Sequence, residues 1–205
     1  MIGIKTKEEI ALMRESGRIA AEILRKVQSA VKPDISTKEL DKLADELIIK
    51  RGVKSAFFGQ PSGRNGELYP AVICASVNGV VVHGLPSEYE LQNGDILGLD
   101  FGVIYKGWYS DLAVTVGVGD ISDEARRLID VTKRAVNQGL KKVHPGATTG
   151  DVGNTIQRWV ESHGFGVVRD LCGHGIGLEL HEEPQVLNFG KRRSGEVLKE
   201  GMVIA

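Results

Sequence analysis

A ten-residue pattern occurs twice in this chain. Val31-Lys-Pro-Asp-Ile-Ser-Thr-Lys-Glu-Leu40 is answered by Val143-His-Pro-Gly-Ala-Thr-Thr-Gly-Asp-Val152 at a constant offset of 112 residues. The same offset pairs Pro33 with Pro145, Thr37 with Thr149 and Gly52 with Gly164. Each copy reads as a helix, a proline turn, a capped helix and a glycine stop. Proline and hydroxyl side chains are common at helix boundaries, so a short coincidence would need only generic turn chemistry. A match held over 22 residues favours duplication. The expected fold is α/β (α+β), built from two related halves.

Four helices are predicted. The first spans about Lys7–Val31, with Ile10, Met13, Gly17, Ala20, Leu24 and Val27 on one stripe and Thr6 and Glu9 as a capping box. The second spans about Thr37–Arg51, capped by Ser36 and Glu39 and stopped by Gly52. The third spans about Asp123–Val143, and the fourth about Thr149–His163. Extended segments are expected at Ala71–Asn78, Asp95–Tyr105, Trp108–Val118, Val167–Asp170 and Met202–Ala205. About 66 residues lie between Gly52 and the end of the first half's last strand, but only 41 follow Gly164. If the halves are alike, the second is expected to continue past Ala205 with further strands.

The 205 residues suit a single domain with a substantial core, or at most two small ones. Lys and Arg number 26 and Asp and Glu 27, so there is no broad basic field for nucleic acid. A short basic run, Lys191 to Arg193, reads first as a solvated loop. Cys74 and Cys172 exclude a disulfide-dense scaffold, though one bridge remains open. The N-terminus carries charge early and lacks an apolar signal core, and no apolar run approaches the length of a membrane span. A cytoplasmic protein is expected. Glycine, at 26 residues, interrupts strand-like stretches such as Ile96–Gly107 and Cys172–Gly177, which suggests close approach to another group.

The hairpin around Asp100 and Asp111 carries the clearest chemistry. A two-residue turn at Lys106-Gly107 sets Tyr105 opposite Trp108, Asp100 opposite Ala113 and Asp111 opposite Gly102. Opposed residues share a face, so both carboxylates fall on one face as diagonal neighbours. Like charges so placed favour a cation between them. On the hairpin alone, a metal site and a pair of unrelated aspartates stand level. His174 and His181 then add two imidazoles seven residues apart in a glycine-rich stretch, and His83 precedes a turn after an apolar strand. His144 and His163 read as structural. A mixed carboxylate–imidazole set with Asp100, Asp111 and His174 suits Mn, Fe, Co or Zn better than Ca.

Several motifs in register now resemble one family. Asn78-Gly-Val-Val-Val-His83-Gly, Leu99-Asp-Phe-Gly with Ser110-Asp111, Cys172-Gly-His174-Gly-Ile-Gly and His181-Glu-Glu-Pro-Gln resemble the type I methionine aminopeptidases in order and spacing. The resemblance implies the pita-bread fold, with two pseudo-symmetric halves around a dinuclear metal site. It further implies removal of the initiator methionine from nascent proteins by metal-assisted hydrolysis. Asp100 and Asp111 would hold the metals, with Asp111 shared, and His174 would bind one of them. His83 would contact the peptide and assist the leaving amine, and His181 would hydrogen-bond the substrate carbonyl. Cys74 and Tyr69 would line the methionine pocket.

The sequence also departs from the family pattern. Leu180 stands where bacterial relatives often have Phe, and Phe57–Leu68 departs from a compact Tyr-Gly pattern. Two glutamate ligands, the first also the expected general base, would follow Gly201-Met-Val-Ile-Ala205. The whole chain is thus expected to be a single catalytic domain lacking its C-terminal strands, with doubtful activity at this length. A non-catalytic pita-bread module binding peptides or proteins is the alternative; the retained aspartates and histidines count against it. Enzymes cleaving before proline usually carry a large extra N-terminal domain. N-terminal Met peptides and nascent chains are the implied partners. Ribosome proximity is implied by the family alone, and a monomer is expected.

Overall fold

The computed structural model describes residues 2–61 and 66–205. Part of the predicted departure at Phe57–Leu68, residues 62–65, lies outside the described residues. The chain divides into two compact units, Ala11–Ala125 and residues 2–10 with Arg126–Ala205.

Two helices, α1 (Lys7–Ala30) and α2 (Thr37–Arg51), enter and leave as the sequence dictates. The Glu9 carboxylate accepts from the Thr6 amide at 2.8 Å, and the Glu9 amide donates to the Thr6 hydroxyl at 3.2 Å. Ser36 and Glu39 form the same reciprocal box at α2, and Gly52 ends it in the left-handed region at φ 64°. Ile19, Ile23, Leu24 and Val27 of α1 join Leu40, Ala44 and Ile48 of α2 in one buried cluster.

That cluster continues through an antiparallel sheet of β2 (Ile73–Val77), β3 (Ile96–Phe101) and β6 (Leu112–Gly117), in the order β2-β3-β6. Along β3, Leu97, Leu99 and Phe101 are fully buried while the residues between them are half-buried, the period-two pattern of a covered sheet. Truncating Leu99 to Ala here costs about 2–5 kcal/mol. A second small sheet joins β1 (Lys54–Ser55), β4 (Val103–Tyr105) and β5 (Trp108–Tyr109).

The predicted strands Asp95–Tyr105 and Trp108–Val118 are therefore each broken in two. The break has a cause. A Cβ on Gly102 would overlap the Ser110 carbonyl, so the strands close in at that point, and the ladder passes from one sheet to the other. Ser16, fully buried in α1, pins this crossing. Its hydroxyl lies 3.0 Å from the Trp108 carbonyl, 3.2 Å from the Val103 carbonyl and 3.1 Å from the Ser110 hydroxyl.

The other unit holds α3 (Asp123–Leu140, from Arg126 onward), α4 (Thr149–Ser162) and a two-stranded sheet of β7 (Cys172–Gly175) and β8 (Glu182–Leu187). α3 stops three residues before the expected Val143. Val167–Asp170 is not a strand: it follows Gly164 and Gly166, and among the described residues it pairs with no strand. The extended Met202–Ala205 is found, with the amide and carbonyl of Ala205 paired to the carbonyl and amide of His174 at 2.8 and 2.9 Å.

The repeat is real in the backbone. Thr148 and Asp151 form a capping box at α4, 112 residues after Ser36 and Glu39. Asp34 and Gly146, also 112 apart, both take positive φ, at 67° and 88°. In the first copy Thr37 N donates to Tyr89 O and Leu91 N to Ile35 O; in the second, Thr149 N donates to Glu196 O and Leu198 N to Ala147 O. The returning partners are offset by 107, as are the positive-φ glycines Gly94 and Gly201.

Candidate metallopeptidase site

Asp100 sits on β3 with Ala113 opposite, and Phe101 faces Leu112; farther along, Tyr105 faces Trp108. The register runs unbroken through the hairpin, so Asp111 falls opposite Gly102 and on the Asp100 face, as the turn predicts. Asp111 follows Ser110, whose hydroxyl is locked to Val103 and Ser16. The carboxylate is thus carried by a fixed piece of backbone.

Cys74 of β2 is the direct cross-strand partner of Asp100. Its buried thiol is pushed up to about 12, first by burial and then by the negative charges of Asp100, Asp111 and Asp41, while a hydrogen bond with Tyr69 works the other way. That both carboxylates act on one thiol agrees with their common face. Both cysteines are free, which closes the disulfide option.

Tyr69 lies in this group, with its hydroxyl raised by burial and by Cys74. The hydroxyl stands 2.9 Å from the Ile73 carbonyl and 3.1 Å from the Gly84 carbonyl, so it also clamps backbone. Gly84 is further stitched to β2: its carbonyl accepts from Ala75 N at 2.8 Å, and its amide donates to the Ser76 hydroxyl at 3.1 Å. A Cβ there would overlap the Ala75 backbone. His83, next to this anchor, is exposed and held at φ 56°, a region a non-glycine residue occupies only when its surroundings impose it. The apolar run before it, Val80–Val82, is an exposed loop and not the strand expected. Asn78, at φ 51°, and Gly79 turn the chain out of β2 first.

Asn78 is itself held by Asp95. Burial alone would raise the Asp95 carboxyl, but donors from Gln92, Asn78 and Tyr89 outweigh it and leave the group below its ordinary value. Asp41 accepts from the Val72 and Ile73 amides at 2.9 and 3.1 Å and so fixes the start of β2.

In the other unit, His174 lies on β7 and His181 at the head of β8. Their rings meet edge to face with centroids 4.5 Å apart. Leu180 is buried. His163 caps the end of α4 with its Nδ1 beside the Trp159 carbonyl, whereas His144 lies in the exposed turn between α3 and α4, past the helix end where it was expected, with its Nδ1 beside the Pro145 carbonyl.

The residues thus form two groups within their own units: Tyr69, Cys74, Asp100 and Asp111 with His83 on its anchored loop, and His174 with His181. Among the described residues, no three His, Cys, Asp or Glu side chains are gathered closely enough to hold an ion. A cavity of about 970 Å³ in the Ala11–Ala125 unit is lined by Asp41, Lys42, Lys54 and Tyr109 among others, and includes none of the predicted site residues. The donor chemistry nevertheless fits a divalent cation, since anionic carboxylate oxygens with imidazole nitrogen are the ligand types such ions take.

The model of metallopeptidase family M24 matches residues 11–205. A methionine aminopeptidase of Clostridium perfringens is 45% identical over 205 residues, covering all of this chain and 80% of the relative. This chain belongs to family M24, among the methionine aminopeptidases. The crystal structure of methionine aminopeptidase from Rickettsia prowazekii superposes with a TM-score of 0.93 at 41% identity, over all of this chain and 80% of that one. A prolidase from Pyrococcus furiosus shares the pita-bread fold with a TM-score of 0.83 at 24% identity, the match covering 56% of that longer chain. Family M24 enzymes are metallopeptidases, so a divalent-metal requirement comes with membership. Among the described residues, no helix is long and apolar enough to cross a membrane.

The sequence reading missed three supporting groups: Ser16, Asp95 and the Tyr69 hydroxyl as a clamp. The first two are ordinary surface-type residues in sequence, and only long-range contacts give them their roles.

Proposed function

We propose that this protein removes the N-terminal methionine from nascent chains in the cytoplasm as a monomer, its two units acting as one catalytic domain. In this reading Asp100, Asp111 and His174 hold two divalent ions of the Mn, Fe, Co or Zn class, with Asp111 shared between them. The observation that carries it is the common face of Asp100 and Asp111 beside Cys74, in a chain matched along its whole length by methionine aminopeptidases.

The metal supplies Lewis acidity toward water and the peptide carbonyl. The chain's own residues orient the substrate. His181 donates a hydrogen bond toward the scissile carbonyl oxygen, where negative charge develops. His83, fixed by the Gly84 anchor, contacts the peptide and protonates the departing amine. The neutral Cys74 thiol and the Tyr69 ring present an uncharged, polarisable wall to a thioether.

The test uses the full-length protein with Mn(II), Co(II), Fe(II) or Zn(II) and the peptides Met-Ala-Ser, Leu-Ala-Ser and N-acetyl-Met-Ala-Ser. Turnover of the first, strong preference over the second and none of the third are expected. Equal cleavage of the first two would refute the pocket assignment. Unchanged metal content in Asp111→Asn would refute the ligand assignment.

A further inference from the structure

Glu182 directly follows His181, and its carboxylate folds back over the turn that carries that histidine. Oε1 accepts from the Leu178 amide at 2.8 Å and the Glu179 amide at 3.3 Å. Oε2 accepts from the Lys5 ammonium at 2.6 Å. One carboxylate therefore closes the loop between β7 and β8 and ties it to the N-terminal segment. The pair is largely withdrawn from water, with Lys5 6% and Glu182 19% exposed in their side chains.

Lys5 is held in turn. Its amide donates to the Gly201 carbonyl at 2.8 Å, and its ammonium also lies 3.4 Å from the Gly3 carbonyl. The glycines of this region make room for the pair. A Cβ on Gly177 would stand 2.5 Å from Glu182 Oε1 and 2.7 Å from Lys5 Cε; one on Gly201 would stand 2.8 Å from the Lys5 carbonyl oxygen. Gly177 thus makes room for the ion pair.

Stability is a weak reason to keep such a pair, because withdrawing two charges from water offsets most of their attraction. What the pair fixes is direction. His181 lies between Glu179, whose amide Glu182 holds, and Glu182 itself. Its exposed ring meets that of His174 edge to face, with centroids 4.5 Å apart. We propose that Lys5 and Glu182 are positioning residues that set the angle at which His181 meets the substrate carbonyl. This rests on the reading of His181 as the carbonyl's hydrogen-bond donor.

The test uses the full-length protein loaded with Mn(II), with Met-Ala-Ser as substrate, and compares Lys5→Met, Glu182→Gln, their double variant, Lys5→Arg and His181→Ala. Lys5→Met and Glu182→Gln are expected to lower kcat about tenfold with KM little changed. Bound metal per chain should stay the same. The double variant should lose no more than either single change, because one device is being removed twice. Lys5→Arg should restore most of kcat. Hydrogen exchange at Leu178 and Glu179 should quicken in Lys5→Met and stay slow in His181→Ala. Quicker exchange at these amides with kcat unchanged would overturn the proposal, as would additive losses in the double variant. A normal kcat in His181→Ala would instead refute the donor reading on which the proposal rests.

Discussion

Replacing Tyr69 by Phe separates two roles that the ring and the hydroxyl play. The ring stays, so a wall for the methionine side chain stays with it. The hydroxyl goes, and with it the link between the Ile73 and Gly84 carbonyls at 2.9 and 3.1 Å. A single proton serves both carbonyls, so the loss is one neutral hydrogen bond to backbone together with the hydroxyl's contact with the Cys74 thiol. Gly84 O keeps the Ala75 amide. Adding incomplete satisfaction of a buried carbonyl gives a total near 1–2 kcal/mol, or roughly one hydrogen bond and one partly stranded acceptor. For a chain of this size that lowers Tm by about 2–8 °C. The anchor beside His83 loosens, so exchange of the Ala75 amide should quicken and kcat should fall more than KM rises. Thermal unfolding, amide exchange and steady-state kinetics on Met-Ala-Ser read all three. A Tm within about 1 °C of the parent, with Ala75 exchange unaltered, would refute the clamp. A KM rise without a kcat change would return Tyr69 to a pocket wall only.

Gly84→Ala should be harsher, costing about 2 kcal/mol or more because the new methyl meets backbone, and circular dichroism in urea will measure it. Iodoacetamide at pH 8 should label Cys172 well before Cys74: with its pKa pushed up to about 12, only about 10⁻⁴ of the Cys74 thiol is ionised there, and peptide mapping will tell them apart. Glu39, Asp95, Asp151 and Glu182 all lie below their ordinary values of 4.5 or 3.8. The unfolded chain takes up their protons first as pH falls, so their stabilisation is complete above about pH 4.5 and disappears as pH drops through the lowered values. Asp41, raised mainly by burial, acts in the opposite sense. The urea midpoint should therefore fall between pH 5 and pH 3, and a flat profile would contradict this balance.

Much of the site-bearing hairpin was legible because a two-residue turn at Lys106-Gly107 leaves only one register, and that register alone puts Asp100 and Asp111 on one face. The helices were legible through their caps, which act over three or four residues. The β7–β8 pair was harder. Cys172–Gly175 has two glycines in four residues and no apolar alternation, so its strand character comes from neighbours close enough to exclude a Cβ. Val167–Asp170 misled in the other direction, since a β-branched pair signals a strand only where a partner exists. The roles of Ser16 and Glu182 were invisible for a different reason. A serine on a helix and one glutamate in Glu182-Glu183 look like surface residues until contacts 87 to 177 positions away are known.

The two copies of the capped turn also make each half a mutational control for the other. Where the first copy has Ser36 with Glu39, the second has Thr148 with Asp151, and both boxes close. The reciprocal bond pattern therefore tolerates an added methyl on one side and a shortened arm on the other. Where the first bends through Asp34, the second bends through Gly146, so one copy already carries the substitution that relaxes a left-handed turn. From the turn to its returning partners the offset drops from 112 to 107, so the second copy spans five fewer residues there. The turn and its returning strand are the constant part of the design. The stretch between them is interchangeable cargo, the place where one ancestral unit was free to acquire His83 in one copy and His174 with His181 in the other.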